Sequence, residues 1–182
     1  MIFPAINLIR TELNSNGISS ELGNIGELIF GGVNNNNADI IISLINVEEN
    51  RISRDPGNYQ KSGTDVFMKN PAVHLYLTLL FAATRSEAAY GPALQNLQRV
   101  ILFFQGKYVF DHINTPDLDL GIEKLILEMV SMNTEQLNHI WSILGGKYHP
   151  SVVYRVRMIT IDSVSPQGGM AIKEIEANYH VK

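Results

Sequence analysis

The sequence predicts an α+β fold: a mainly antiparallel or mixed sheet with about three helices packed on it. Three observations carry this. Apolar residues recur at helical spacing in three separate segments. Between them lie runs rich in Val, Ile and Leu, short enough to be strands. The order of the two kinds shows no regular strand–helix–strand alternation, and no repeat of solenoid period appears. The 182 residues fit one domain, taken here as 1–182.

The elements follow in order. Ile2, Phe3, Ile6, Ile9 and Leu13 mark an opening helix, with Pro4 in its first turn and Gly17 ending it. "ELGNIGELIFGG" reads as a short strand from about Leu22 to Phe30. "VNNNNAD" is a loop, because Asn tolerates positive φ. "ADIIISLINVEEN" is a strand. Arg51 to Asn70, polar and carrying Pro56, Gly57 and Gly63, reads as a long loop of the kind that orders on a partner. "PAVHLYLTLLFAAT" is a central strand covered on both faces. Ser86 caps the next helix, Leu94, Leu97, Val100, Ile101 and Phe104 form its buried stripe, and Gly106 stands just past its end. Tyr108–Phe110 is a short strand, "DHINTPDLDLG" a loop and "IEKLILEMVSM" a strand. "NTEQLNHIWSILGGK" is a helix with Asn133 and Gln136 spaced as a capping box. "PSVVYRVRMITID" is a strand, "SPQGG" a turn and "GGMAIKEIEANYHV" a last strand.

Charged residues make up 18% of the chain, low for a soluble monomer, and the net charge is −4. A surface poor in charge suits a chain that covers itself with partners. No Lys/Arg cluster asks for nucleic acid. With no Cys, disulfide and thiolate chemistry are excluded. "MIFPAINLIRTEL" lacks the basic lead and cleavage site of a secretory signal, and Val73 to Ala83 is too short to span a bilayer. The expectation is a soluble chain with no membrane insertion.

The motifs offer little chemistry. "LGGKYHP" is no phosphate loop: Gly145-Gly146-Lys147 follows a helix instead of opening one, and Tyr148 stands where Ser or Thr is needed. A glycine stop with Lys at the negative helix end explains it. Of His74, His112, His139, His149 and His180, none pair at i, i+4 and none lie in an H-E-x-x-H pattern. His74 reads as a hydrogen-bonded core residue. There is no nucleophile elbow. Glu48/Glu49 point to opposite faces of a strand, and Asp117/Asp119 sit in a loop, capping or solvating it. Trp141, Phe103, Phe104 and Tyr108 read as core or interface anchors, and Met129, Met132 and Met158 as core fillers. The residues thus describe a protein that binds other proteins, with no enzyme site, cofactor or metal. The competing reading is a small α/β enzyme or ligand-binding domain using His139 and His149.

"MIFPAINLIRTEL", "LGNIGEL", "ISLINVEEN", "NPAVHLYLTLLFAA", "VILFFQGKYVF" and "LNHIWSILGGKYHPSVVYRVRMITI" occur in that order. The set resembles the cap, or tail-terminator, proteins of extracellular contractile injection systems of the anti-feeding-prophage and virulence-cassette type, from residue 1 to about 162. The last segment matches best, around Trp141, Gly145, Gly146, Lys147, Tyr148 and Pro150. The resemblance implies a tail-terminator-like domain and a six-membered ring on the tube and sheath end distal to the baseplate. Its partners would be the inner tube protein and the sheath protein, without catalysis or cofactor. Assembly would be cytoplasmic, in a particle released extracellularly. Another adaptor ring of the same particle is the nearby alternative. Some members of the family carry a further segment after this domain. Candidate interface residues are Arg51, Arg54, Tyr59 and Lys61 in the polar loop, and Tyr154, Arg155 and Arg157 in the strand after Pro150, whose edge could pair with a neighbour.

Overall fold

Two hydrophobic layers form because the central strands bury alternate side chains on opposite sides of one sheet. The computed structural model describes residues 1–30, 38–50, 59–62, 65–70, 72–83, 90–145, 147–160 and 163–169. For residues 28–30, 59–62, 65–70 and 163–169 it describes the backbone alone. The helices are α1 (Ile2–Ser15), α2 (Ile25–Phe30), α3 (Tyr90–Gly106) and α4 (Thr134–Ile143). Strands β1 (Ser20–Leu22), β2 (Ile40–Glu49), β5 (Leu75–Ala83), β6 (Val109–Asp111), β7 (Ile122–Val130) and β8 (Ser151–Thr160) form one six-stranded sheet in the order β1-β2-β5-β8-β7-β6. Its β1–β2 pair is parallel and every other pair antiparallel, so the sheet is mixed, as expected.

A second sheet joins β3 (Tyr59–Ser62), β4 (Asp65–Asn70) and β9 (Ser163–Gly169) in the order β3-β4-β9. This order repeats that of β2-β5-β8, the strands that precede or follow them in the chain. Three sequence expectations change here. The segment Arg51–Asn70 is not one long loop, since its second half is a hairpin. "SPQGG" is not a turn but lies in β9, where the register shifts: Phe67 pairs with Gly168 and Lys69 with Val164. Three β9 residues, Ser165, Pro166 and Gln167, therefore stand against Met68 alone, and Pro is tolerated where the ladder is broken. The strand β8 is not an edge, because β5 and β7 flank it on both sides. The strand expected from residue 168 onward lies largely outside the described residues, as does the Ser86 cap.

"ELGNIGELIF" also departs from expectation. Only Ser20–Leu22 is a strand, and Ile25–Phe30 is a helix. Asn24 starts that helix: its side-chain oxygen accepts from Gly26 N (3.1 Å) and its carbonyl from Glu27 N (3.1 Å). Among the described residues there are thus four helices.

The larger core lies between one sheet face and α1 plus α3. It holds Ile6, Leu8, Ile9 and Leu13 of α1, and Ala93, Leu97, Val100 and Phe104 of α3. From the sheet it takes Ile40, Ile42, Leu77, Leu79, Phe81, Leu125, Leu127, Tyr154, Val156 and Met158. Phe81 packs edge-on against Phe104 and Tyr154, which are tilted to each other, with ring centroids 4.8–5.6 Å apart. Phe3 and Leu94, expected in the helix stripes, are 69% and 42% exposed. The smaller core lies on the other face. There Ile25 of α2 and Trp141 of α4 cover Ile41, Leu80, Ala82 and Val153.

Helix ends follow local chemistry. Gly17 adopts φ +71° and closes α1 in a Schellman motif, with Ile18 N donating to Leu13 O and Gly17 N to Asn14 O, both 3.0 Å. Ile18 and Leu13 are both buried there. The carbonyl of Gly17 also accepts from Arg99 Nη2 at 2.8 Å, which ties α1 to α3. Gly106, by contrast, is the last residue of α3, not a residue beyond it, and its φ is not positive. The Asn133–Gln136 capping box of α4 is present in both directions.

These two glycines give opposite predictions. Gly17→Ala forces a side chain into the left-handed region, 3.3 Å from Arg99 Nη2, and should cost about 1–2 kcal/mol. Gly106→Ala meets nothing within 4 Å and removes unfolded-state freedom, and should stabilise by up to about 1 kcal/mol. Urea denaturation midpoints at constant m check both.

Candidate functional site

The second face of the sheet is covered at only one end. Ile41, Leu80, Ala82 and Val153 lie under α2 and α4. Further along the same strands the face carries Asn46 and Glu48 of β2, Tyr76 and Thr78 of β5, Arg155 and Arg157 of β8, and Ile126 and Glu128 of β7. Register places Glu48, Tyr76, Arg157 and Ile126 in one row and Asn46, Thr78, Arg155 and Glu128 in the next. All eight are exposed or half-buried, and none belongs to the core under α2 and α4.

This half-face is charged and ordered. Arg157 Nη2 donates to Glu128 Oε1 at 2.9 Å, and the Arg155 guanidinium lies 5.5 Å from the Tyr76 ring centre. Asn46 Nδ2 donates to Glu48 Oε1 at 2.8 Å. Such exposed pairs contribute only about 0.2–1 kcal/mol each to stability. Their effect is to hold the two cations in place on the sheet. Three buried polar atoms have no partner among the described residues: Trp141 Nε1, Ser151 Oγ and Arg157 Nε. All three belong to the face bearing α4.

The candidates named from sequence separate. Arg155 and Arg157 stand on the open half-face. Tyr154 does not: it is 4% exposed and packed in the opposite core, so its listing with the two arginines is corrected by the two-residue period of β8. Burial pushes its phenol pKa up. Arg51 and Arg54 lie outside the described residues, and Tyr59 and Lys61 fall in β3. Sequence reading missed Tyr76, Thr78, Glu48 and Glu128. The polar Tyr76 and Thr78, two apart in an otherwise apolar run, were the available signal.

In the segment around Trp141 the indole packs α4 on the sheet. Trp141 is 3% exposed and packs edge-on against Tyr148 (5.7 Å) and beside His149 (5.8 Å). Gly145 takes φ +110° at the end of α4, Lys147 is exposed, and the Pro150 carbonyl accepts from Ala83 N at 2.9 Å. Gly146 lies outside the described residues. Among the histidines, His139 is exposed on α4 and His149 half-buried. His74 Nδ1 accepts from Thr160 N at 3.2 Å, and His112 Nε2 lies 2.9 Å from Ile122 O. His180 lies outside the described residues. Among the described residues no three His, Asp or Glu side chains gather as a metal site would need. No described helix is long and apolar enough to cross a membrane.

The described elements make a mixed α/β domain, a six-stranded sheet with helices on both faces and part of one face left uncovered by them. The chain belongs to the Pvc16 N-terminal domain family, whose profile matches residues 5–174. A solved structure of the sheath/tube terminator of an extracellular contractile injection system, PVC, in its extended state is similar in fold. The likeness has TM-score 0.53 at 14% identity and covers 100% of this chain and 63% of that one. The chain thus spans less than two thirds of that terminator's length. The tube-terminating cap of the anti-feeding prophage aligns over 78% of this chain and 48% of that one, at 13% identity and TM-score 0.49. No curated protein matches the sequence.

Two predictions test the α4 segment. Trp141→Ala should lose about 3–5 kcal/mol of stability in chemical denaturation, as large-to-small core changes do. The second concerns pH. Burial, and then the Lys147 charge, hold the His149 pKa below its ordinary 6.5. The folded chain thus resists a proton that the unfolded chain takes up. The His149 contribution is complete above about 6.5 and is lost as pH falls toward the folded value. The melting temperature of the wild type should therefore fall more steeply between about pH 7 and pH 5 than that of His149→Gln.

Proposed function

We propose that this chain is a structural cap, the tail terminator of a contractile injection particle. It assembles as a homohexameric ring on the end of the inner tube and sheath distal to the baseplate. There it ends tube polymerisation and anchors the last sheath layer, without catalysis. The observation that carries this reading is membership of the Pvc16 N-terminal domain family over residues 5–174, in a fold shared over the chain's whole length with a sheath/tube terminator. The open half-face supports it, because a rigid sheet surface with fixed cations suits a protein partner better than a small ligand. The candidate contacts to tube or sheath are Arg155 and Arg157 on this face, with Arg51, Arg54, Tyr59 and Lys61 from the segment that includes the β3–β4 hairpin. Assembly would take place in the cytoplasm.

The test is electron microscopy of tubes polymerised with and without the purified chain. Capped ends and an arrested length distribution are expected with it. Tubes that grow on with bare ends would overturn the proposal. Reversing both charges, Arg155→Glu with Arg157→Glu, should lower end occupancy at least about tenfold, corresponding to about 1.4 kcal/mol, while the melting temperature stays nearly constant.

A further inference from the structure

The six-stranded sheet ends in two strands of three residues each, β1 and β6, and among the described residues each pairs on one side only. The outer side of such a strand carries backbone N–H and C=O groups that can template pairing with another chain. On β1, Ser19 O accepts from Ile40 N at 3.0 Å and Gly23 N donates to Ile42 O at 3.1 Å. Ser19, Glu21 and Gly23 therefore turn their backbone groups toward β2, and Ser20 turns its own outward. On β6, Leu127 N donates to Tyr108 O at 2.8 Å, so Tyr108 and Phe110 address β7 while Val109 and Asp111 point outward. Next to this strand the surface is apolar: Tyr108 is 55% exposed, Ile113 93% and Leu120, at the far end of the turn, 85%. Unpaired backbone beside such side chains is the kind of edge that promotes association.

One asparagine lies against each outer side. Asn14, in the last turn of α1, exchanges two hydrogen bonds with Ser20: Ser20 N donates to Asn14 Oδ1 at 2.8 Å, and Asn14 Nδ2 donates to Ser20 O at 3.0 Å. A residue of an antiparallel neighbour would make the same two bonds. Asn114, in the turn after β6, bridges the two outward residues. Its Nδ2 donates to Val109 O at 3.0 Å, and its Oδ1 accepts from Asp111 N at 3.2 Å. Thr115 N also donates to Asp111 O at 2.8 Å. Each amide is thus a side-chain copy of a peptide group, with its donor on a carbonyl and its acceptor on an N–H; an ionised Asp, which has no donor, could not replace it. Both contacts are fixed from behind. Ser20 is buried, and the buried Thr115 donates through Oγ1 to Asn114 Oδ1 at 2.7 Å, while Asp111 Oδ1 accepts from Asn114 N at 3.0 Å.

We propose that Asn14 and Asn114 close both edges of the six-stranded sheet to strand addition, each occupying the place of a further strand. The same chemistry reaches the two edges from unrelated pieces of chain, a helix end and a turn. A second copy or a partner chain then meets this sheet through its faces and helices and does not lengthen it. The closure is independent of the cap role, and either can fail without the other.

The test combines amide hydrogen exchange by NMR with mass by light scattering. It uses Asn14→Ala, Asn114→Ala, their double variant, and the isosteric Asn14→Asp and Asn114→Asp. In the wild type the Ser20 and Asp111 N–H groups should be protected although they lie on outer sides of the sheet. Each Ala change should speed exchange of the amide it uncovers at least about tenfold, as loss of one hydrogen bond does. Gly23 and Leu127 N–H, on the inner sides, should keep their rates. The Asp changes retain an acceptor and should leave Ser20 and Asp111 N–H slow, whereas a change that merely loosened the fold would speed inner and outer amides alike. At equal concentration each Ala variant should associate beyond the wild type's own state, by pairing of like edges, and the double variant should form longer chains. If Ser20 and Asp111 N–H exchange as fast in the wild type as in the Ala variants, if the Asp variants lose protection as the Ala variants do, or if the double variant gains no mass, the proposal is overturned.

Discussion

The structure depends on one constraint: β5 runs through the middle of the sheet and must be covered on both sides from Leu79 to Ala83, but on one side only before that. Leu77, Leu79, Phe81 and Ala83 face α1 and α3, while Leu80 and Ala82 face α2 and α4. Alternation of side chains along a strand makes this a single decision for β5 and β8, which pair residue by residue, while β2 shifts register between Leu44 and Asn46 and so places Asn46 and Glu48 on the face of Ile41. Where Tyr76 and Thr78 replace aliphatic residues on the second face, the helices stop. The open half-face is thus the place where the apolar demand of the sheet ends, and the same strands that build the core present it.

The aromatic cluster shows how tightly the larger core is tied to that decision. Phe81 on β5, Tyr154 on β8 and Phe104 on α3 touch one another pairwise, so a one-residue slip of β8 would remove Tyr154 from the core and turn Arg155 inward. An uncompensated guanidinium in that core would cost several kcal/mol, far more than any surface pair on the open face contributes. Register is therefore specified by the buried face, and the positions of Arg155 and Arg157 follow from it.

Much of this was legible in the sequence. The strands with continuous apolar runs, the capping box at Asn133 and the glycine at the end of α1 were readable because each has a local cause. Two misreadings were avoidable in principle. Asn24 with Glu27 three residues on is the same start signal as Asn133 with Gln136, and it marks α2 inside a stretch read as a strand. Tyr154 shares the period of Val156 and Met158, not that of Arg155 and Arg157. Other features were not readable. The β3–β4 hairpin has a short polar strand, YQKS, and a second whose apolar run is only Val66-Phe67-Met68, so no alternation marks either. The pairing of Glu128 with Arg157 depends on antiparallel register across two strands, which local spacing does not give.

The low charge content and the exposed aliphatic residues of this chain share one physical account. A monomer gains nothing from Ile113 and Leu120 in water, and single exposed apolar residues are common enough to need no explanation. Here, however, the two sit on a turn whose backbone is bonded from within and anchored to α1 by Lys107, at a cost in polar residues that a free loop would not require. A turn already ordered in this way loses less entropy in any contact it makes than a free loop would. On the open half-face Tyr76 and Glu128 likewise hold Arg155 and Arg157 in place. The two surfaces differ in chemistry, one aliphatic and acidic, the other cationic on a flat sheet.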